Sequence, residues 1–117
     1  MTLQPDSHTD LPLTEPTFYI LLSLFPGPLH GYAILKDIQQ LSEGRLLLSV
    51  STLYSSLKRL LEQGWIERVT VEEQKATARP RKQYQLTQVG RRMLFAETQR
   101  LHTLIQAANQ RLHQYVV

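Results

Sequence analysis

Residues 49–68, SVSTLYSSLKRLLEQGWIER, constrain the fold more than any other stretch of the chain. Val50, Leu53, Leu57, Leu60 and Leu61 recur at helical spacing and define one apolar face. The other face carries Ser51, Thr52, Ser55, Lys58 and Arg59, all able to hydrogen-bond, and the carboxylate Glu62 joins it only one turn later. Ser49 can cap this helix, because its hydroxyl accepts from the free N–H groups of the first turn. Gly64 stops it, since glycine tolerates the left-handed conformation of a helix end, and Trp65-Ile66 opens a strand. A helix apolar on one side and small, polar and basic on the other suits a DNA major groove. An ordinary surface helix carries the same pattern, so the rest of the chain has to separate the two.

The charge distribution favours the groove. A chain of 117 residues suffices for one core and not for two. Its net charge of +3 is unevenly spread: residues 1–44 carry a net −4, whereas residues 45–100 hold 11 basic residues and a net +6. The basic excess coincides with the candidate reading helix, as a phosphate-binding surface requires. The absence of cysteine rules out disulfides, a thiolate metal site and a cysteine nucleophile, and fits a reducing cytoplasm. No run approaches the ~18 apolar residues of a membrane span, and the amino terminus lacks a signal-peptide pattern. A soluble, cytoplasmic protein is expected, with no membrane partner.

Residues 1–12, polar and containing Pro5 and Pro12, read as a mobile tail. Thr14 caps a first helix, with Glu15 and Pro16 in the turn that tolerates a carboxylate and a missing N–H. Phe18 to Phe25 is apolar except for Ser23, so this helix is buried on most sides until Pro26-Gly27-Pro28 ends it. A second helix over about 31–41 buries Tyr32, Ile34, Leu35 and Ile38 and turns Lys36, Asp37, Gln39 and Gln40 to water. Arg45 to Leu48 is a short link with room for one extended strand. After Gly64 the period becomes alternating, with Ile66, Arg68 and Thr70 on one side and Glu67, Val69 and Val71 on the other. Residues 72–81 suit a hairpin tip, and 82–86 return with Tyr84 and Leu86 sharing a face. Thr87 caps a last helix running nearly to Val117. The expected fold is mainly α with a small β-hairpin wing (α+β): a winged helix-turn-helix over 13–86, then a dimerisation helix over 87–117.

Within that frame the candidate DNA-binding residues are Ser51, Thr52, Tyr54, Ser55, Lys58 and Arg59 on the third helix and Lys75, Arg79, Arg81 and Lys82 on the wing. Ser55 and Arg59, one turn apart, are expected at the centre of the polar face, against base edges. Arg79, Arg81 and Lys82 surround Pro80 and form an electropositive finger. Its phosphate contacts release counterions and supply affinity without reading sequence. Tyr54 lies at the edge of the apolar face, where its ring packs and its hydroxyl reaches a phosphate. Tyr32 is expected to pack.

The last helix would run ~42 Å at 1.5 Å per residue, longer than a small domain can cover. Its stripe of Leu94, Leu101, Leu104, Ile105, Ala108, Leu112 and Val116 needs a partner, and a second copy is the simplest. Phe18 on the first helix is expected to join that interface. Glu97 and Thr98 interrupt the stripe. Either Glu97 pairs with Arg100 or Arg111 across the dimer or is exposed at the stripe edge, or Glu97, Thr98 and Leu101 form a small polar cavity for an effector. His8, His30, His102 and His113 are scattered, without the partners of a triad or metal site, and there is no phosphate-binding glycine loop. No enzyme, metal or other cofactor is expected.

The segments LTEPTFYILLSLFPGPLHGYAILKDI (13–38), STLYSSLKRLLEQGWIER (51–68) and RPRKQYQLTQVGRRML (79–94) resemble the PadR family of bacterial transcriptional regulators. His30-Gly31-Tyr32, Thr52-Leu53-Tyr54 and the Tyr-x-Leu-Thr-x-x-Gly of 84–90 carry the resemblance, which spans roughly residues 13–115 and points to the compact members with one long carboxy-terminal helix. It implies a homodimeric repressor in the bacterial cytoplasm, at the nucleoid when bound to an inverted-repeat operator in double-stranded DNA, and released by a small-molecule effector or other signal. It also implicates Tyr54 in DNA contact. Some multidrug-responsive relatives place an aromatic residue midway along the last helix, whereas residues 96–104 here offer only His102. The residues themselves leave a second reading open, a dimeric winged-helix interaction module acting through ligand or protein binding.

Overall fold

The computed structural model describes residues 11–70 and 82–115. The expected tail up to residue 10, the hairpin tip with Lys75, Arg79 and Arg81, and Val116 lie outside the described residues. The elements are helix α1 (Glu15–Leu24), strand β1 (Leu29–His30), helix α2 (Gly31–Leu41), helix α3 (Val50–Gln63), strands β2 (Ile66–Thr70) and β3 (Lys82–Leu86), and helix α4 (Gln88–Tyr115).

Local chemistry accounts for most of the helix ends. Thr14 and Ser49 accept from the N–H groups of Thr17 and Thr52, at 3.3 and 3.1 Å. His30 does the same for α2, its Nδ1 accepting from the Ala33 N–H at 3.3 Å. Gly64 closes α3 at φ 78°. There the Trp65 N–H reaches back to the Leu60 carbonyl at 3.0 Å and the Gly64 N–H to Leu61 at 3.1 Å. That pair of bonds is the Schellman ending, and Trp65 and Leu60 meet in the core beside it.

The sheet has three strands rather than the two expected. β3 is central, antiparallel to β2 in the register Ile66↔Leu86, Arg68↔Tyr84 and Thr70↔Lys82, and to β1 in the register Leu29↔Tyr84 and His30↔Gln83. The link at 45–48 forms no strand. Of Ile66, Arg68 and Thr70, which share one side of β2, only Ile66 is buried, while Arg68 and Thr70 are exposed.

One core joins all four helices to the sheet: Ile20, Leu21 and Leu24 from α1, Ile34 and Ile38 from α2, Leu53, Leu57 and Leu60 from α3, Trp65, Ile66, Tyr84 and Leu86 from the strand region, and Met93 and Leu94 from α4. Leu11 and Leu13 pack against it, so the chain joins the domain before residue 12. Two residues expected inside are outside: Tyr32 is 65% and Val50 59% exposed. Both stand in the first turn of a helix, where the neighbouring element has not yet closed over the face that periodicity assigns to them.

α4 divides into two halves. Its first half buries Gly90, Met93, Leu94 and Glu97, and every residue from Leu101 to Tyr115 is exposed. Leu94 is therefore part of its own subunit's core, a correction to its expected place in an interface. Glu97 is likewise turned inward, at 2% exposure. It accepts from Nε and Nη2 of Arg100 in the same chain at 2.7 and 2.9 Å, and from the Leu13 N–H at 3.1 Å. The ion pair with Arg100 is thus intramolecular, and it clamps the entry of the chain to the root of α4.

The Arg100 hydrogen bonds hold the Glu97 carboxyl below its ordinary value of 4.5, against a burial effect in the other direction. A lowered folded-state value stabilises the protein above the ordinary carboxylate range, and that stability is lost as pH falls through the folded-state value. Glu97→Gln should cost about 1–3 kcal/mol near neutral pH. It should also flatten the loss of stability on acidification. Urea unfolding of both proteins at neutral and acidic pH checks this; parallel pH profiles would show that Glu97 does not carry the acid sensitivity.

Candidate nucleic-acid interface

α3 is held to the domain along one side by Leu53, Ser56, Leu57 and Leu60, all buried. At roughly 100° per residue the direction opposite to that set runs through Ser51, Ser55, Lys58 and Glu62. All four are exposed. Ser55 thus lies at the centre of the outward strip, as expected, but Arg59 lies on its flank.

Two contacts bracket the strip. On one flank, Nη2 of Arg59 donates to Oγ1 of Thr17 on α1 at 3.3 Å, and Thr17 also takes a hydrogen bond from Thr14 at 3.1 Å. The guanidinium expected against base edges is turned back to the domain. On the other flank, the Tyr54 phenol lies over Gly31 at the start of α2, with Cζ 2.8 Å from where a Cβ of residue 31 would stand. Any side chain at 31 would collide with that ring, which explains glycine at the centre of His30-Gly31-Tyr32. Tyr54 keeps 46% of its surface exposed. Its hydroxyl end packs on Gly31 while part of the side chain remains accessible.

Lys58 is the cation at the centre of the strip, and small hydroxyls stand beside it toward the start of the helix, with Val50 exposed in the first turn. Ser55 Oγ donates to the Ser51 carbonyl at 3.0 Å, and Ser49 Oγ donates to Thr52 Oγ1 at 2.9 Å. These bonds hold the hydroxyls close to the backbone and leave a low, polar surface that can approach base edges closely. Tyr32 extends this surface along the start of α2, with Lys36 Nζ 5.8 Å from its ring centroid. Sequence periodicity assigns Tyr32 to the core, but it stands exposed in the first turn of α2, where no neighbouring element covers that face. On the described part of the wing, Arg68 and Lys82 are exposed cations.

The candidate effector residues do not come together. Glu97 is fully engaged inside the domain, Thr98 Oγ1 donates to the Leu94 carbonyl of its own helix at 2.8 Å, and Leu101 points outward. Two open grooves, of about 660 Å³ along Thr103, Gln106 and Gln110 and about 540 Å³ between Pro26–Pro28 and Lys36, contain none of the three. Of the other residues expected at a subunit interface, Leu101, Leu104, Ile105, Ala108 and Leu112 are exposed, and Phe18 is half-buried, edge-on to Tyr19 at 6.3 Å between ring centroids.

Residues 20–96 match the model of the transcriptional regulator PadR-like family. The chain belongs to that family. Solved structures agree. A PadR family transcription regulator from hypervirulent Clostridium difficile is similar at 27% identity and a TM-score of 0.70, over 85% of this chain and 99% of that one. A PadR-like transcription factor from Bacteroides fragilis is similar at 30% identity and a TM-score of 0.65, over 80% of this chain and 86% of that one. Bacillus subtilis PadR, solved in complex with operator DNA, is similar at 28% identity and a TM-score of 0.61, over 72% of this chain and 46% of that longer protein. Among curated proteins none matches. As a PadR-like regulator the protein has a winged-helix DNA-binding fold. Among the described residues no helix is long and apolar enough to cross a membrane.

Proposed function

We propose that the protein is a homodimeric repressor of the bacterial cytoplasm that binds an inverted-repeat operator in double-stranded DNA and leaves it on a signal. The observation that carries this reading is α3: four buried residues fix one side of it, and Ser51, Ser55 and Lys58 stand exposed on the other. The B. subtilis relative, solved in complex with operator DNA, supports operator binding by this fold. Thr52 and Arg59 line the edge of the strip, and the hydroxyls of Tyr54 and Tyr32 flank it where the sugar-phosphate backbone would pass. Lys82, with Lys75, Arg79 and Arg81 beyond the described residues, supplies phosphate contacts from the wing.

Assembly is supported by the apolar stripe of α4. Leu94, Leu101, Ala108 and Tyr115 recur every seven residues, so the face that packs inside the domain in the first half of α4 continues uncovered through the second. Such a face in water calls for a partner. A second copy places the two α3 helices by two-fold symmetry, hence an inverted repeat with half-sites about one helical turn apart. A signal that changes how the two α4 helices pair would move the reading helices and release the operator.

A mobility-shift titration with the promoter of the protein's own gene tests the reading: a shift that survives excess random DNA supports it, and no preference over random DNA favours an interaction module instead. Arg79→Ala with Arg81→Ala should weaken binding to all DNA about equally and flatten its salt dependence by close to one unit for each phosphate that is no longer neutralised. An unchanged slope would remove the wing from the interface.

A further inference from the structure

The carboxyl end of α3 and the amino end of α4 are joined through a single residue, Thr87. Thr87 Oγ1 donates to the Gly64 carbonyl at 2.6 Å and accepts from the Gly90 N–H at 3.1 Å, while the Thr87 N–H donates to the Trp65 carbonyl at 3.0 Å. The hydroxyl that caps α4 therefore also satisfies a terminal carbonyl of α3. The partial negative end of one helix dipole meets the partial positive end of the other, which adds to the attraction. Gly90 lets the two ends approach: a Cβ there would collide with the Trp65 carbonyl oxygen. Trp65 is itself fixed, 4% exposed and bonded back to Leu60 at 3.0 Å. Neither end can shift without breaking this joint.

We propose that Thr87 is a positioning residue that fixes the angle between the reading helix and α4, and so sets the half-site separation the dimer accepts. The consequence for DNA rests on the proposed function above; the joint between the helices does not. A cap and a joint make different demands on residue 87. Capping α4 needs an acceptor for the Gly90 N–H, whereas holding α3 needs a donor for the Gly64 carbonyl. Ser meets both demands. Asp meets only the first, since a carboxylate caps helices well but has no proton to give, and it would repel the carbonyl. Val meets neither.

The chain has no cysteine, so spin labels can be placed cleanly at Val50→Cys on α3 and Gln99→Cys on α4, both exposed positions. Dilution with unlabelled protein restricts the reading to distances within one chain. The labelled Thr87 and Thr87→Ser proteins should give a narrow distance distribution, and Thr87→Asp a broad or shifted one with an unchanged helix content. An equally narrow distribution in Thr87→Asp would overturn the proposal, and should the Asp variant not fold, an equally narrow distribution in Thr87→Val, which also lacks the donor, would overturn it. On DNA, affinity of Thr87→Asp for the preferred spacing should fall about tenfold, roughly the loss of one well-placed hydrogen bond. Affinity for spacings one base pair longer or shorter should change far less. A uniform loss at every spacing would mean that Thr87 only maintains the fold and would also overturn the proposal. Should the native protein bind no spaced half-sites while Thr87→Asp still broadens the label distances, the joint stands and the operator reading fails.

Discussion

Changing Leu101 and Ile105 together to Asp should leave a monomeric or poorly folded protein that no longer holds its operator. Leu101 and Ile105 are one turn apart on the stripe, 36% and 57% exposed in the single chain, so neither contributes much to the core of its own domain. In the proposed dimer the double change puts four carboxylates into one apolar interface. Burying such charges unpaired costs about several kcal/mol each, more than most interfaces of this kind can absorb. The separation between core and stripe makes the test sharper than the sequence alone could. Leu94 lies in the core at 3% exposure, and a charge there would unfold the domain rather than divide the dimer. Light scattering gives the mass and a shift assay the affinity, and circular dichroism on the same sample shows whether the domain has survived. A folded, dimeric double variant would place the interface elsewhere.

Features set by local chemistry are legible in the sequence itself. Thr14, Ser49 and Thr87 cap the helices they are expected to cap, Gly64 ends α3, and the alternating stretches around the hairpin form β2 and β3. What is not legible depends on pairings between distant residues. β1 is two residues long, too short for any period to show, and exists because Leu29 meets Tyr84 on the central strand. Glu97 reads as an interruption of an interface because its real partners include the Leu13 N–H, 84 positions away. Tyr32 and Leu94 show the same limit from opposite sides. Helical period identifies a face, but whether that face meets the protein's own core, a second subunit or water depends on what else arrives there.

Lys58→Ala should cost more discrimination between DNA sequences than Arg59→Ala. Both are exposed cations on the same helix, and periodicity alone does not rank them. The buried set of α3 does: it turns Lys58 outward beside Ser51 and Ser55, and leaves Arg59 at the flank, hydrogen-bonded to Thr17 at 3.3 Å. A lysine reaching a guanine edge is worth about 1–3 kcal/mol against the wrong base, so Lys58→Ala should lose that much on the cognate operator and far less on random DNA. Arg59→Ala should instead weaken binding to both by a similar factor, through a looser α3 and fewer backbone contacts. The two effects separate in a panel of operators carrying single base-pair changes. Lys58→Ala should flatten preference at one position in each half-site, and Arg59→Ala should shift the whole panel together. The opposite pattern would mean that Arg59 leaves Thr17 on binding and enters the groove, so that the free protein stores its reading side chain against α1.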